Sequence, residues 1–396
     1  MEDFKSVFNS AYTVITIIIS ILGGIIALYK RYTKNKKNLD IYLNYVKNRF
    51  FFPLSFVKII ISKCRILQDS DFINYSIALN NGYYSKSTKW INVKIGSEIK
   101  KIEIPYSEII NYIENPESSI KIIDSNLGEQ YSLSNDIIEK TEDILAEFLS
   151  KKPKTYNGRT LRFQFLKQID TSNFECILQP ATYFDQIRTN LTLDMPLKGD
   201  EEKSIRIIDL EKDKVLKPLS YSIMANTIGV SAVWYTTVPQ KEKRNGIQFF
   251  LKPRKLDTGV FYNSLGSISG VVEPPENDVF DVDTLEEYIK RELLREFHEE
   301  NPAAKFFFKE NDIEIKPLAF VRELTRGGKP QFMFVIKTPY IDDSIMAKHF
   351  NKSLEFDDSM ISRLKLYDLS PETYVNYLYA LSYIQKDEYL HYIDLN

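Results

Sequence analysis

The sequence predicts a mixed α/β protein built from three parts: an N-terminal transmembrane helix, a small mainly-β middle domain and a C-terminal α/β domain. Three observations carry this prediction. Residues 11–28 contain no charged side chain, short runs rich in β-branched residues follow between residues 56 and 107, and strand-like runs flank one glutamate-rich helix over residues 284–302. The length of 396 residues also exceeds that of one typical domain.

The composition excludes several classes of protein. Apolar residues make up 43% of the chain and the formal net charge is −2, which excludes a disordered acidic chain and a wholly basic nucleic-acid-binding protein. We therefore expect no nucleic-acid partner. With only Cys64 and Cys176, the chain has neither a disulfide framework nor a cysteine zinc site. The three histidines are scattered, so any metal must bind to carboxylates, which suit ions such as Mg²⁺.

The uncharged residues 11–28 predict a single membrane-spanning helix. A helix of 18 residues is about 27 Å long, close to the thickness of a bilayer's hydrocarbon core. Tyr12, Tyr29 and Tyr32 bracket the run, as aromatic residues do at membrane interfaces. A cleaved signal peptide is disfavoured, because the leading residues are acidic and no small-x-small site follows. We therefore expect a lipid bilayer as a partner.

A basic collar follows this helix and predicts its orientation. The collar consists of Lys30, Arg31, Lys34, Lys36 and Lys37, with no acidic residue among them. The positive-inside rule then predicts a single-pass protein of the inner membrane, with all later residues in the cytoplasm. We assign residues 1–37 to this anchor, with the helix at about residues 11–29. Small residues spaced four apart, such as Ser20 and Gly24, also allow the helices to associate into a homo-oligomer.

Residues 38–152 predict a small, mainly-β cytosolic domain. Runs at 56–62, 90–97 and 100–107 are typical of strands, and an amphipathic helix is predicted over about 136–149. Ser134 or Asn135 is the expected cap of that helix. The segment contains no catalytic cluster, and both a sensing role and a role as a spacer stay open.

The residues from Thr284 to Pro302 predict a helix with one acidic face. Thr284 and Glu287 have the spacing of a capping box. At 100° per residue, four carboxylates fall within one arc of about 100°, away from the apolar Leu294 and Phe297. These are Glu292, Glu296, Glu299 and Glu300. Such a face is often merely solvated, but a divalent cation would turn the repulsion between the carboxylates into coordination.

The same helix carries a recognisable motif. Glu287-x7-Arg295-Glu296-Phe297-His298-Glu299-Glu300 matches E-x7-R-E-U-x-E-E at each fixed position. This sequence resembles the core of the NUDIX box, and strand-like runs flank it, as they do in that superfamily. The runs lie at 228–238, 247–253, 264–273, 315–324 and 331–338. The resemblance implies that residues 155–396 form a NUDIX-like α/β/α sandwich.

The resemblance also implies roles for individual residues. Glu296, Glu299 and Glu300 would be the catalytic residues and the ligands of Mg²⁺ or Mn²⁺, which promotes attack of water on a diphosphate. Glu287 and Arg295 would pair with each other and brace the motif structurally. His298 occupies the variable position and is expected to face solvent.

Two positions depart from the family pattern. Asp281 stands where the consensus has the glycine that begins the box, and Gly270 is taken as its equivalent, displaced by an insertion of eleven residues. Pro302 replaces the glycine that ends the box. Because proline cannot adopt the left-handed turn that glycine allows, we expect the end of the motif to differ in shape.

Residues outside the box offer further candidates. Glu323 is one possible auxiliary base, and Glu355 with Asp357 and Asp358 is another. Arg322, Arg326 and Lys329 surround two glycines, where they either contact phosphates or form an ordinary basic hairpin turn.

The combination of anchor, middle domain and altered box resembles one particular group, the SMODS-associated NUDIX proteins. The run ANTIGVSAVWYT at 225–236 contributes to this resemblance. The group is encoded beside CD-NTases in bacterial anti-phage systems that signal through cyclic oligonucleotides (CBASS). The resemblance implies a membrane effector, with a CD-NTase as genetic partner, that responds to a cyclic nucleotide and binds or hydrolyses a nucleotide or diphosphate ligand.

Two other functions stay open from the sequence. One is a membrane-tethered housekeeping NUDIX hydrolase of nucleoside-diphosphate derivatives. The other is a catalytically inactive NUDIX module that only binds a nucleotide. The glutamates of the helix favour hydrolysis, whereas Pro302 and the insertion favour binding alone.

Overall fold

The structure is a computed structural model that describes residues 72–73, 89–95, 98–210, 215–238, 246–253, 265–342 and 369–386. The chain divides into two compact units, and all described residues belong to the second, which begins at Ser62. The transmembrane helix predicted at about residues 11–29 and the strand predicted at 56–62 lie outside the described residues. Within the described ranges, no helix has the length and apolar character needed to cross a membrane.

Groups of consecutive strands are separated by one or two helices along the described chain. In order, the strands are β1 (Lys89–Ile95), β2 (Glu98–Ile104), β3 (Tyr106–Asn111), β4 (Ser119–Ile122), β5 (Arg159–Gln168), β6 (Asn173–Thr182), β7 (Gly229–Val238), β8 (Gly246–Phe250), β9 (Lys252–Pro253), β10 (Leu265–Gly266), β11 (Ile268–Val271), β12 (Glu314–Glu323) and β13 (Lys329–Thr338). The helices are α1 (Asn135–Lys140), α2 (Glu142–Lys151), α3 (Tyr183–Gln186), α4 (Ile205–Asp209), α5 (Leu285–Glu300), α6 (Ala304–Phe307) and α7 (Pro371–Lys386). The mixed α/β class is confirmed.

A mixed six-stranded sheet forms the centre of this unit. Five of its strands run in the order β11-β7-β13-β12-β3, and the sixth, β8, pairs with β7. Strand β7 is long enough to pair with β11 along its first half and with β8 along its second half. Its other edge pairs with β13 in parallel, while the remaining pairs in the sheet are antiparallel. The strand-like runs predicted on both sides of the glutamate-rich helix are therefore strands of one sheet.

Helices cover both faces of this sheet because the side chains of its strands alternate. On β7, Val230 and Trp234 are buried in the same core cluster as the apolar side chains of α5. Their neighbours Val233 and Tyr235 belong to the cluster that contains the apolar side chains of α7. The sheet is thus enclosed between α5 on one face and α7 on the other. A three-stranded sheet, β4-β6-β5, shares the core on the α5 side.

The predicted boundary between residues 152 and 155 does not separate two sheets. Strand β3, from the segment predicted to be a middle domain, is an edge strand of the central sheet, where Ile110 pairs with Phe320 of β12. Strand β4 of the same segment pairs in parallel with β6. Ile110 and Ile120 are buried with the apolar side chains of α5. Residues on both sides of the expected boundary therefore share one core.

The helix predicted over residues 136–149 is present as two helices, α1 and α2. The side chain of Ser134 accepts a hydrogen bond from the backbone N–H of Ile137, so the expected cap is confirmed. The two helices meet at Thr141, whose backbone leaves the helical conformation (φ −110°, ψ 7°). Its hydroxyl donates to the carbonyl of Ile137 at 2.6 Å, a contact that often bends helices.

Candidate functional site

Helix α5 packs on the sheet through an apolar stripe that lies beside its acidic face. Its apolar stripe consists of Leu285, Ile289, Leu293 and Phe297, each with no exposed surface. Residues four positions apart lie near one face of a helix, so this stripe packs on the sheet. Ile289 and Leu293 precede Glu296 and Glu300 by seven residues, so these two glutamates continue the line of the stripe at the C-terminal end of α5. The helix begins after Thr284, whose side chain makes no capping hydrogen bond. The expected capping box is therefore not formed.

The first turn of α5 is instead held by Glu286, which the sequence analysis did not single out. Glu286 is buried, and it accepts a hydrogen bond from the hydroxyl of Tyr112. Its two carboxylate oxygens also lie 3.0 and 3.1 Å from the backbone nitrogen of Ile120 on β4. Burial raises the pKa of Glu286, while the hydrogen bonds from Tyr112 and Ile120 oppose the shift. Glu286 and Glu287 are adjacent residues of the same type. Only the contacts in the folded protein show that Glu286 is buried and Glu287 is exposed.

Arg295 is the centre of the acidic face. Its guanidinium donates hydrogen bonds to Glu292 at 3.0 Å, to Glu296 at 3.1 Å and to Glu299 at 2.9 Å. It also lies 3.9 Å from the carboxylate of Glu273, in the loop after β11. One cation thus offsets the repulsion among the carboxylates that the helix brings together.

The expected pairing of Arg295 with Glu287 is not formed. Eight residues separate the two along α5, which corresponds to about 12 Å of helix rise. Arg295 reaches its partners one to four residues away instead, while Glu287 is exposed in the first turn. The expectation for His298 was also wrong. His298 is buried beside Phe297, and burial lowers its pKa.

Glu296 is the most enclosed of the three motif glutamates predicted to bind metal. Its carboxylate faces Gly270 on β11, where a Cβ atom would lie 4.0 Å from the nearest carboxylate atoms. Burial raises the pKa of Glu296, Arg295 lowers it, and the negative charges of Glu299 and Glu300 raise it further. A bound cation would favour the charged carboxylate and so reverse this shift. The structure thus places Gly270, which the sequence analysis took as the equivalent of the box's first glycine, next to Glu296.

Glu299 and Glu300 lie at the end of α5 and are both exposed. Glu299 takes the 2.9 Å hydrogen bond from Arg295, whereas Glu300 borders a small pocket with Trp234 and Phe250. Asn301 ends the helix by donating backbone and side-chain hydrogen bonds to the carbonyl of Phe297. Of the three predicted ligands, Glu296 and Glu299 therefore share Arg295 as a partner, whereas Glu300 lies at the pocket.

The chemistry of this donor set suits a hard divalent ion. Carboxylate oxygens are the preferred ligands of Mg²⁺ and Mn²⁺. Glu296, which is half-buried, and the exposed Glu299 and Glu300 supply three carboxylates from the same helix, and the adjacent Gly270 leaves space over Glu296. Among the described residues, no group of three or more histidine, cysteine, aspartate or glutamate side chains is already arranged to hold a metal.

The basic residues of the β12–β13 turn are buried. Arg322 donates hydrogen bonds to the carbonyls of Gly328 at 2.9 Å and Lys217 at 2.6 Å. Arg326 lies 3.6 Å from the buried Glu323, and Lys329 donates to Gln331 at 3.1 Å. These buried side chains stabilise the turn itself. This agrees with the interpretation of a basic hairpin turn rather than with phosphate contacts. Glu323 is 1% exposed, so it does not reach the surface of α5. Glu355, Asp357 and Asp358 lie outside the described residues.

A set of buried and half-buried polar side chains joins α7 to the sheet, and the sequence did not predict it. We call it the polar layer; it consists of Ser231, Ser267, Gln331, Glu372, Thr373 and Asn376. Gln331 donates to Glu372 at 2.7 Å, and Asn376 donates to Ser231 at 3.0 Å. These residues interrupt the apolar alternation of β7 and β13 on the α7 side. Hydrogen bonds between elements far apart in sequence hold them, although the side-chain oxygen of Asn376 is buried without a hydrogen-bond partner. Periodicity carries no signal for such contacts.

Comparisons with known proteins give no relative for this chain. No protein-family model matches it, and no curated protein sequence matches it. Function is therefore inferred from the geometry of α5 and its surroundings.

Proposed function

We propose that the protein is a membrane-anchored effector of a cyclic-oligonucleotide anti-phage defence system (CBASS), with a NUDIX-like domain that binds and hydrolyses a nucleotide or diphosphate ligand. The proposal of hydrolysis rests on one observation. Glu296, Glu299 and Glu300 lie together on the last turns of α5, and Glu296 faces Gly270. The layered arrangement of α5, mixed sheet and α7 supports a NUDIX-like α/β/α sandwich.

In this proposal Glu296, Glu299 and Glu300 hold Mg²⁺ or Mn²⁺. Such an ion supplies a Lewis acid that neutralises charge on a diphosphate as water attacks. The chain's own residues prepare the surface. Glu296, half-buried beside β11, favours a cation because burial and the neighbouring carboxylates penalise its lone negative charge. The apolar stripe of α5 and the buried Glu286 fix the helix, so that the carboxylates are presented at constant spacing.

The membrane location rests on the sequence of residues 1–37, and the defence role rests on the resemblance to the SMODS-associated NUDIX proteins. A CD-NTase encoded next to this chain is the expected genetic partner, and its cyclic nucleotide is the expected activating ligand. An isolated gene without such a neighbour would favour a membrane-tethered housekeeping NUDIX hydrolase.

One observation favours a second candidate, a NUDIX-like module that binds a nucleotide without hydrolysis. Arg295 already occupies Glu296 and Glu299, two of the three predicted ligands. Pro302 also follows the helix where the family has glycine. Both features favour a binding surface over a hydrolytic one.

A paired-glutamine variant separates these functions. Glu299→Gln with Glu300→Gln removes two carboxylates from α5 while keeping side-chain size. If the protein is a metal-dependent effector, the variant loses diphosphate hydrolysis and protection against phage. The matched control is Glu201→Gln with Glu202→Gln, two adjacent exposed glutamates on a distant loop. Full protection by the α5 variant would overturn the enzymatic proposal and favour the binding module.

A further inference from the structure

Arg162 on β5 is a buried arginine that forms no ion pair with any described residue. Its side chain lies on the face of β5 that points away from α5, because its neighbours Leu161 and Phe163 are buried in the core that contains the apolar side chains of α5. Arg162 is 5% exposed. Its guanidinium makes one hydrogen bond to the described part of the chain, from Nε to the carbonyl of Ala225 at 3.0 Å. The two Nη groups at the end of the side chain are therefore donors without an acceptor in this part of the protein.

The ring of Tyr131 covers one face of the Arg162 guanidinium. The central carbon of the guanidinium lies 3.9 Å from the ring centroid. The hydroxyl of Tyr131 donates to the carbonyl of Ile223 at 2.8 Å, which fixes the ring in this position. Stacking uses the face of a guanidinium and leaves its N–H groups, which lie at the edge, for another partner. Gln164, two residues further along β5, is exposed, so the strand reaches solvent beside Arg162.

A second polar group without a partner lies on the same face of β5. Thr160 precedes Arg162 by two residues, and side chains two positions apart share one face of a strand. Thr160 is 3% exposed, and its buried hydroxyl has no hydrogen-bond partner among the described residues. Burial of a hydroxyl without a partner is unfavourable, and most buried polar groups in folded proteins are hydrogen-bonded. Neighbouring positions of one strand thus carry two polar side chains whose hydrogen-bonding capacity the fold does not use.

The charges around Arg162 favour an anion. The half-buried Asp185 of α3 is influenced by two arginines, Arg162 and Arg188. Arg188 donates to the carbonyl of Ile138 at 3.0 Å and to the hydroxyl of Thr141 at 3.2 Å, both of which are neutral. Two guanidinium charges against one carboxylate leave one positive charge in excess. Burial lowers the pKa of Arg162, and a bound anion would stabilise its charged form.

We propose that Arg162 and Thr160 form a binding site for an oxyanion, the phosphate or carboxylate group of a small molecule, on the side of β5 opposite to α5. The two Nη groups match the two oxygens of such a group, which a guanidinium binds through two parallel hydrogen bonds. The hydroxyl of Thr160 supplies a further hydrogen bond. The site uses neither a divalent cation nor the glutamates of α5, so it is independent of the proposed hydrolysis.

Isothermal titration calorimetry of the full-length chain with inorganic phosphate, in the presence of EDTA, tests the inference. EDTA removes divalent cations, so a result at this site is distinguishable from the outcome of the proposed function at α5. We expect a dissociation constant of about 1 mM or lower. Arg162→Lys should bind phosphate about tenfold more weakly, because an ammonium lacks the planar pair of donors. The matched control is Arg159→Lys, which alters an exposed arginine of the same strand that pairs with Asp278, and it should bind like the original chain.

Thr160→Val gives a second test that does not depend on the folding of the Arg162→Lys variant. Valine keeps the shape of threonine and removes the buried hydroxyl, so the thermal midpoint should rise while phosphate binding weakens about fivefold. A parallel titration with acetate shows whether phosphate or carboxylate is the preferred group. No binding of either anion by the original chain overturns the inference. Binding that is unchanged in both Arg162→Lys and Thr160→Val also overturns it, since it would reflect an adventitious ion only.

Discussion

The carboxylate of Glu286 accepts a hydrogen bond from the hydroxyl of Tyr112, although 174 positions separate them in the sequence. Both side chains are buried. Burial, followed by the negative charge of Glu286, raises the pKa of Tyr112. This contact and the bonds to the backbone of Ile120 fasten the first turn of α5 to β4. The position of the acidic face therefore depends on a residue from the segment that was predicted to be a separate domain.

A double-mutant cycle measures this attachment. Glu286→Ala should lower the free energy of unfolding by about 2–3 kcal/mol, because it leaves two buried donors without an acceptor. Tyr112→Phe should cost about 1 kcal/mol, and the double variant should lose less than the sum. Urea unfolding supplies the measurement, with Glu287→Ala, an exposed neighbour, expected within about 0.5 kcal/mol of the original chain. Additive losses would show that the two residues act independently.

Substitution by alanine should lower the stability of the fold at one glycine of the central sheet and leave it nearly unchanged at another. At Gly229 a Cβ atom would lie 2.0 Å from Oε1 of Gln331 and 2.2 Å from Nζ of Lys329, both buried. Gly229→Ala should therefore destabilise the fold by about 1–3 kcal/mol. At Gly270 the nearest atom beyond the chain neighbours is 4.0 Å away, an ordinary contact. Gly270→Ala should leave the thermal midpoint nearly unchanged, and equal losses at both positions would contradict this explanation.

Lys329 should make stability depend on pH in the alkaline range. Burial lowers its pKa from 10.5 to about 8, with Glu372 and Glu323 opposing the shift. Between these values the unfolded chain holds more protons than the folded chain, so stability rises with pH. The free energy of unfolding relative to Lys329→Met should increase by about 3 kcal/mol from pH 7 to 10.5.

Chemical denaturation at several pH values checks this prediction. Lys198→Met, which alters an exposed lysine, serves as the control and should differ from the original chain by a constant amount. A difference between the original chain and Lys329→Met that stays flat over the same range would mean that Lys329 keeps its ordinary proton affinity.

The predicted anchor at residues 11–29 has a direct test. After alkaline carbonate extraction, the full chain should stay with the membrane pellet, since an uncharged span of this length is stable in a bilayer. The double variant Ile18→Lys with Ile25→Lys should be released, because each charge near the centre of the span costs about 2.5–3.5 kcal/mol on insertion scales. Release of the original chain would contradict the assignment of an anchor.

Local sequence patterns predicted the elements of the central sheet and α5. The strand-like run at 228–238 matches β7, and the helix predicted from Thr284 matches α5; of its two expected apolar anchors, Phe297 is buried and Leu294 is not. That information lies within a few neighbouring residues, which is why the helix and the strands around it match the expected positions.

Partnerships between distant segments were not predictable in the same way. Nothing around Ile110 indicates that its strand pairs with Phe320. The pairing of Arg295 with Glu299, four residues on, does follow from helical spacing, and the expected pairing with Glu287 overlooked the eight residues between them. His298 was misjudged because helical angle alone does not reveal the packing beside Phe297. Which strands pair, and how deeply a side chain is buried, depends on how the whole core is assembled.

The pairing of β3 with β12 also sets an order of events during synthesis. About 200 residues separate these strands, so β3 leaves the ribosome long before its partner exists. At about 5–20 residues per second, the delay is about 10–40 s. During that interval Ile110 and Tyr106, both buried in the finished protein, have no sheet to cover them. The nascent chain is therefore open to aggregation or chaperone binding until the last strands of the sheet emerge.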